Sequence, residues 1–456
     1  MTRREFRRSM QCGLGRCVWA LQSEENREEY RNEVLWGCLH NLSFDTQCEG
    51  TRAEYVYRLV SAYSDSAFFV EPICEKFETI SIRNTWERLH MCELLELFAK
   101  NGNMRANQTL EDQYHFMYER ILKKKRFESY DYLRDAFENL AIYRADQGID
   151  AFLKTAEDFG VLLLHSKHYR ESFQFDFDGF LYHIEEAYSR KRILRALQKG
   201  GRDSAGLRSF TEAYTKYTLI EPYKRRGNIS VPTVEELVQD AAGGDIAYLK
   251  RIHFRKMAKE EAKAEFAKRI EREHDPDMQA RLLAVFTNAS YPGAQEKLIE
   301  FYESEHEKLR NTAQMVFATT RGSKIREYAL AMIEQRKDTA TALSAIIRNY
   351  HPTDKQLLLS ELYQLKVSYD NVSRWHNVLL HIRSAKDDGI SLPREVFEYM
   401  YDRSLCSCCR KDAVSYLSKH GWLTERLINE CVYDSNRAIS QFVQQYYRSK
   451  IRKAVD

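Results

Sequence analysis

Asp275-Pro276-Asp277-Met278-Gln279-Ala280-Arg281-Leu282-Leu283-Ala284-Val285-Phe286 is the stretch whose reading decides the fold. Asp275 is an N-cap, Pro276 occupies the first turn, and Leu282, Leu283, Val285 and Phe286 form an apolar helical face. Tyr291-Pro292-Gly293 breaks that helix, and Leu298, Ile299 and Tyr302 supply the face of a second one, which ends before Glu305-His306-Glu307. The cycle restarts at Arg310. An arginine followed three residues later by a small residue recurs as Arg281 with Ala284, Arg310 with Ala313, Arg410 with Ala413 and Arg437 with Ser440. Thr339 and Arg374 mark intervening units, and the spacings run from about 27 to about 36 residues, the range of helical-hairpin repeats. A small residue one turn after the arginine lets neighbouring hairpins approach, and an acidic neighbour is the expected partner of the arginine.

Three openings, Asp277-Met278-Gln279-Ala280-Arg281, Glu307-Lys308-Leu309-Arg310 and Asp434-Ser435-Asn436-Arg437, resemble the acid-to-arginine start of HEAT-like repeats. The resemblance covers about residues 270–450; Thr339 replaces the arginine of one unit and Asn377 the small residue of another. It implies an all-α fold, a right-handed α-solenoid of stacked antiparallel helical hairpins, with a polar acid–arginine ladder along the stack. HEAT-like folds also include DNA glycosylases that excise alkylated bases, but their carboxylate and aromatic cage find no residue-by-residue match here.

Upstream, apolar residues at helical spacing over 52–62, 85–99, 110–122, 130–142 and 149–164 predict further hairpins. Phe173, Phe175, Phe177 and Phe180 crowd an acidic patch that precedes Gly200-Gly201 and Arg225-Arg226-Gly227. The expected division is an N-terminal helical-repeat half over 1–170, an aromatic and basic junction over 171–232, and a C-terminal HEAT-like half over 233–456. Gly200-Gly201 lacks the lysine-serine pair of a phosphate loop and reads as a turn.

A hydrophobic fraction of 43% with 12% aromatics supports a continuous core, and a net charge of +3 on 456 residues does not by itself imply nucleic acid. Ten cysteines without a secreted disulfide framework favour a reducing, cytoplasmic setting. Arg3-Arg4 resembles a twin-arginine signal, but Arg16 and Glu24 interrupt the stretch behind it, and no run approaches the roughly 18 apolar residues of a membrane span.

Candidate chemistry is sparse. His40, Asp45, Cys48 and Glu49 gather near Arg52 and Tyr55 and include the residue types of general acid–base or thiol catalysis; the alternative is an Asp45 cap and a surface Glu49–Arg52 pair. Cys406, Cys408 and Cys409, with His420 and Cys431 downstream, have the chemistry of a zinc site but not the spacing of two paired knuckles, so no metal is expected. Basic clusters at Arg190, Lys191, Arg192 and Arg195 and at Lys224, Arg225 and Arg226 could follow a phosphate backbone if one face gathered them. The expected function is a non-catalytic scaffold without a cofactor. It would hold a protein partner in a concave groove lined by the second helices, with Tyr369, Arg374, Trp375 and His376 as anchors. The second reading is nucleic-acid binding in that groove; a continuous basic stripe would favour it, and a mixed or apolar lining would favour protein.

Overall fold

The structure, a computed structural model, describes every residue except 125–130, 166–179, 182–183, 186–187, 219–229, 366–371 and 456. Among the described residues the chain is all-α, with 26 α-helices, two short 3-10 turns and no strand. No helix among them is long and apolar enough to cross a membrane. Tyr369, Phe173, Phe175, Phe177, Lys224, Arg225 and Arg226 lie outside the described residues. By their contacts the residues sort into two units: Met1–Lys224 with Arg426–Asp456, and Arg225–Glu425. The C-terminal residues from Arg426 onward thus belong with the N-terminal unit rather than with the preceding hairpins.

In the unit Arg225–Glu425, local chemistry starts and stops the helices as the sequence reading expects. The Asp275 side chain accepts from the Asp277 amide at the head of helix Pro276–Leu283. A 3-10 turn Ala284–Phe286 ends it, and Asn288 takes the left-handed conformation at φ 63°. Helices Pro276–Leu283, Glu307–Phe317, Thr339–Arg348, Val372–Ala385 and Ser407–Lys419 each pack on the next of the series. The intervening helices do so in part, Gln295–Tyr302 on Ser323–Glu334 and Lys355–Gln364 on Arg394–Arg403. Ala313, Phe317, Ala329, Ala342, Ile346, Leu358 and Leu379 fill the layers between them with almost no solvent exposure.

Several hydrogen bonds in this unit join residues about 30 positions apart. Tyr291 N–H donates to Thr320 Oγ1 across 29 residues. Asn349 Nδ2 donates to Thr320 O across 29, and Thr319 Oγ1 to Ala289 O across 30. Gln314 Nε2 donates to Thr341 Oγ1 across 27, and Lys308 pairs with Asp277 across 31. At these places residues about 30 positions apart are neighbours.

Several motif arginines bond backbone carbonyls in addition to, or in place of, the expected acid. Arg281 donates to the carbonyls of Ala241 and Gly244, Arg310 to those of Ser304 and Glu305, and Arg410 to that of Ser404. Acidic partners are present as well: Arg437 pairs with Glu54 at 2.7 Å, and Arg374 and Arg281 lie 3.7 and 4.0 Å from Asp338 and Asp275, while the other bonds clip backbone oxygens of an earlier turn. The last carbonyls of a helix have no partner inside it, and the five-donor guanidinium supplies one.

In the unit of residues 1–224 and 426–456, glycines set the closest approaches. Helices Ile149–His165 and Ala205–Thr218 cross at Gly160 and Gly206, where a Cβ on Gly160 would stand 1.7 Å from Gly206 O. Gly200 and Gly201 are not a turn, since both lie inside helix Arg190–Asp203. A Cβ on Gly200 would meet the tip of Leu207 at 2.6 Å, whereas one on Gly201 would make only ordinary contacts with Arg208 at 3.5 Å. Near the chain start, Arg16 holds the fully buried Glu430 with two bonds of 2.7 and 3.2 Å, and Ser435 N–H donates to Gly13 O at 2.8 Å.

Candidate functional site

Helix Val372–Ala385 carries three faces, and its opening residues go to three different surroundings. Trp375, Val378, Leu379, Ile382 and Ala385 form the core face; Trp375 is 1% exposed and its Nε1 donates to Tyr399 Oη at 3.2 Å. Trp375 is thus packing, not a surface anchor. Arg374, Asn377, Leu380, His381 and Ser384 face a cleft. His376 and Arg383, two helical turns apart, face the next helix of the series, where Arg383 Nε bonds Asp412 Oδ2 at 2.5 Å.

The cleft holds about 510 Å³ and is lined by three successive first helices of hairpins, Glu307–Phe317, Thr339–Arg348 and Val372–Ala385. The second helices, expected to line a groove, do not line this one. Its lining is mixed. Met315 and Leu380 are exposed apolar side chains, Asn288, Asn377 and Gln314 are carboxamides, and Thr341 and Ser344 are hydroxyls. Arg348 is bound to Asp388, which Arg321 also approaches at 3.6 Å, and the buried Nε–H of Arg348 has no hydrogen-bond partner. Burial, with Arg348 beside it, pushes His381 down to about 4, so the imidazole is neutral near pH 7. Positive charge is therefore concentrated at one exposed place, Arg374.

The rim is fixed by Asp338, a residue the sequence reading passed over. It takes the left-handed conformation at φ 41°, costly for a residue with a Cβ. Its carboxylate makes no cap at helix Thr339–Arg348; it accepts from Tyr302 Oη at 3.0 Å and from Gln314 Nε2, with Arg374 at 3.7 Å. The missing arginine at Thr339 was the available signal: the acid of that unit holds side chains of its neighbours.

Beside the cleft helix, His376, Cys406 and Cys409 bring an imidazole nitrogen and two sulfurs within 4.8 Å of one another. Cys409 Sγ and His376 Nε2 are 3.4 Å apart. Cys406 stands at the N-cap of helix Ser407–Lys419 and is 6% exposed, while Cys409 is fully buried. The neighbouring Cys409 thiol, then the His376 imidazole and the Cys409 backbone N–H, hold Cys406 below the usual thiol range against its burial. Cys409 is pushed up by Cys406 and by burial. The partners expected from sequence are elsewhere: His420 stacks on Tyr416 at 4.1 Å, and Cys431 is buried in the other unit.

The remaining candidates fall into structural roles. Asp45 accepts from the amides of Gln47 and Cys48 as a helix cap. His40 stacks on Trp36 at 4.7 Å with Nδ1 2.8 Å from the Trp36 carbonyl. Glu49 and Arg52 pair at 3.0 Å, with both side chains buried rather than on the surface. Cys48 is exposed. In the same unit, Arg190 meets Glu185 at 3.0 Å and Arg192 lies over Tyr188 at 4.7 Å, while Lys191 and Arg195 face solvent. No protein-family model, curated protein or solved structure matches the chain.

Proposed function

We propose that the chain is a HEAT-like helical-repeat scaffold, a right-handed α-solenoid, that binds an extended segment of a protein partner in the cleft of its second unit. The hydrogen bonds at one-period spacing support the repeat reading. The observation that carries the binding reading is the mixed lining: carboxamides able to both donate and accept along a peptide backbone, apolar Met315 and Leu380, and the unpartnered Arg348 Nε–H. An acidic side chain on the partner would meet Arg374. A phosphate backbone would call for a row of free cations, and Arg348 is already held by Asp388. The scattered cysteines support a cytoplasmic setting.

The test is selection of random displayed peptides on the purified protein, followed by affinity measurements on Asn377→Trp and Arg374→Glu, both exposed positions. The expected result is enrichment of peptides with an acidic residue whose affinity falls tenfold or more in both variants. Peptides that bind the variants equally well, or binding confined to labelled nucleic acid and lost steeply with salt, would overturn the reading.

A further inference from the structure

We infer that His376, Cys406 and Cys409 form a zinc site that ties helix Val372–Ala385 to the helix following it in the series. Two sulfurs and an imidazole nitrogen are the donor set zinc prefers, and they converge here within 4.8 Å. A tetrahedral zinc with thiolates at about 2.3 Å and imidazole at about 2.0 Å sets sulfur and nitrogen roughly 3.5 Å apart. The Cys409–His376 separation of 3.4 Å fits that edge without rearrangement. Cys406 and Cys409 lie three apart across the first turn of helix Ser407–Lys419, which places both sulfurs on one side. His376 comes from the preceding first helix, 33 residues earlier. Asp412 is held by Arg383 and is not a fourth ligand, so the remaining position is left to water.

A dithiol for disulfide exchange would use the same two cysteines. It also requires a sulfur that a substrate can reach, whereas Cys406 is 6% exposed and Cys409 is 0% exposed. On binding zinc, the Cys406 and Cys409 thiols release their protons and both sulfurs bond the metal as thiolates, with no change of oxidation state. The ion would join two helices whose only covalent link is the chain through Arg394–Arg403. It would stiffen the helix whose other face lines the cleft.

The experiment measures metal content of the full-length protein, purified under reducing conditions and dialysed, by mass spectrometry of the elements. Cobalt exchange then reports the thiolates through a sulfur-to-metal charge-transfer band. One equivalent of zinc is expected in the wild type and in Cys408→Ser, and less than a tenth of that in His376→Ala and Cys409→Ser. Chelation of the wild type should lower its thermal midpoint, and added zinc should restore it, a reversible readout that does not depend on whether a variant folds. Absence of bound zinc with both thiols alkylated in the native protein, or a Cys406–Cys409 disulfide found by peptide mapping, would overturn the inference.

Discussion

Glu96 shows how one side chain makes a unit sensitive to pH. Burial pushes its carboxyl from 4.5 up to about 8, against the pull of Lys100, with Glu93 and Asp146 adding to the rise. The folded protein therefore keeps a proton that the unfolded chain releases. Stability from this residue is complete below pH 4.5 and is lost as pH rises through about 8. Glu96 retains some solvent access, so the effect is about 2 kcal/mol rather than the roughly 5 kcal/mol that the whole rise would give. Glu96→Gln should raise the urea midpoint above this window and leave it nearly unchanged below, as followed by tryptophan fluorescence. An equal change on both sides would refute the account. His381 works in the opposite sense: held near 4, it contributes stability above its ordinary 6.5 that is lost as pH falls through about 4.

At the scale of the element, the arginine that opens a hairpin is a clip whose worth depends on burial. Arg410 is fully buried with Ser404 O as partner, whereas Arg310 is exposed while bonding Ser304 O and Glu305 O. Arg410→Met should cost about 2–3 kcal/mol, because a buried carbonyl loses its donor. Arg310→Met should cost about 0.5 kcal/mol, because water replaces the guanidinium. Chemical denaturation of the two variants checks the ratio, and equal costs would sink the argument. The helices themselves were legible in the sequence, through caps such as Asp275 and apolar spacing such as Leu282, Leu283 and Phe286. The partners of the arginines were not, because motif spacing fixes which residue faces a turn but not which backbone oxygen waits there. The Cys406–Cys409 spacing was equally visible, but His376 was missed by looking downstream. The separation is like that of the other long-range bonds of this unit: residues about 30 positions apart meet, and His376 stands 33 residues before Cys409.

At the scale of the whole molecule, residues 426–456 complete the unit that begins the chain. Glu430 is fully buried against Arg16, and a Cβ on Gly15 would stand 2.0 Å from the Glu430 carbonyl, so this surface admits little else. Removing residues 426–456 should lower the calorimetric midpoint of the N-terminal unit by roughly 5 °C or more. An unchanged transition would show that the segment only rests on it. Both cores hold aromatic clusters, Phe137, Phe159 and Phe180 in one and Phe254, Phe266 and Phe286 in the other. During synthesis, the pocket around Gly13, Gly15 and Arg16 leaves the ribosome long before the residues that close it. At roughly 5–20 residues per second, the nascent N-terminal unit waits on the order of ten seconds or more with that surface open. A ribosome stalled within residues 225–425 would therefore release an N-terminal unit lacking the segment that buries Glu430 against Arg16, and of correspondingly lower stability.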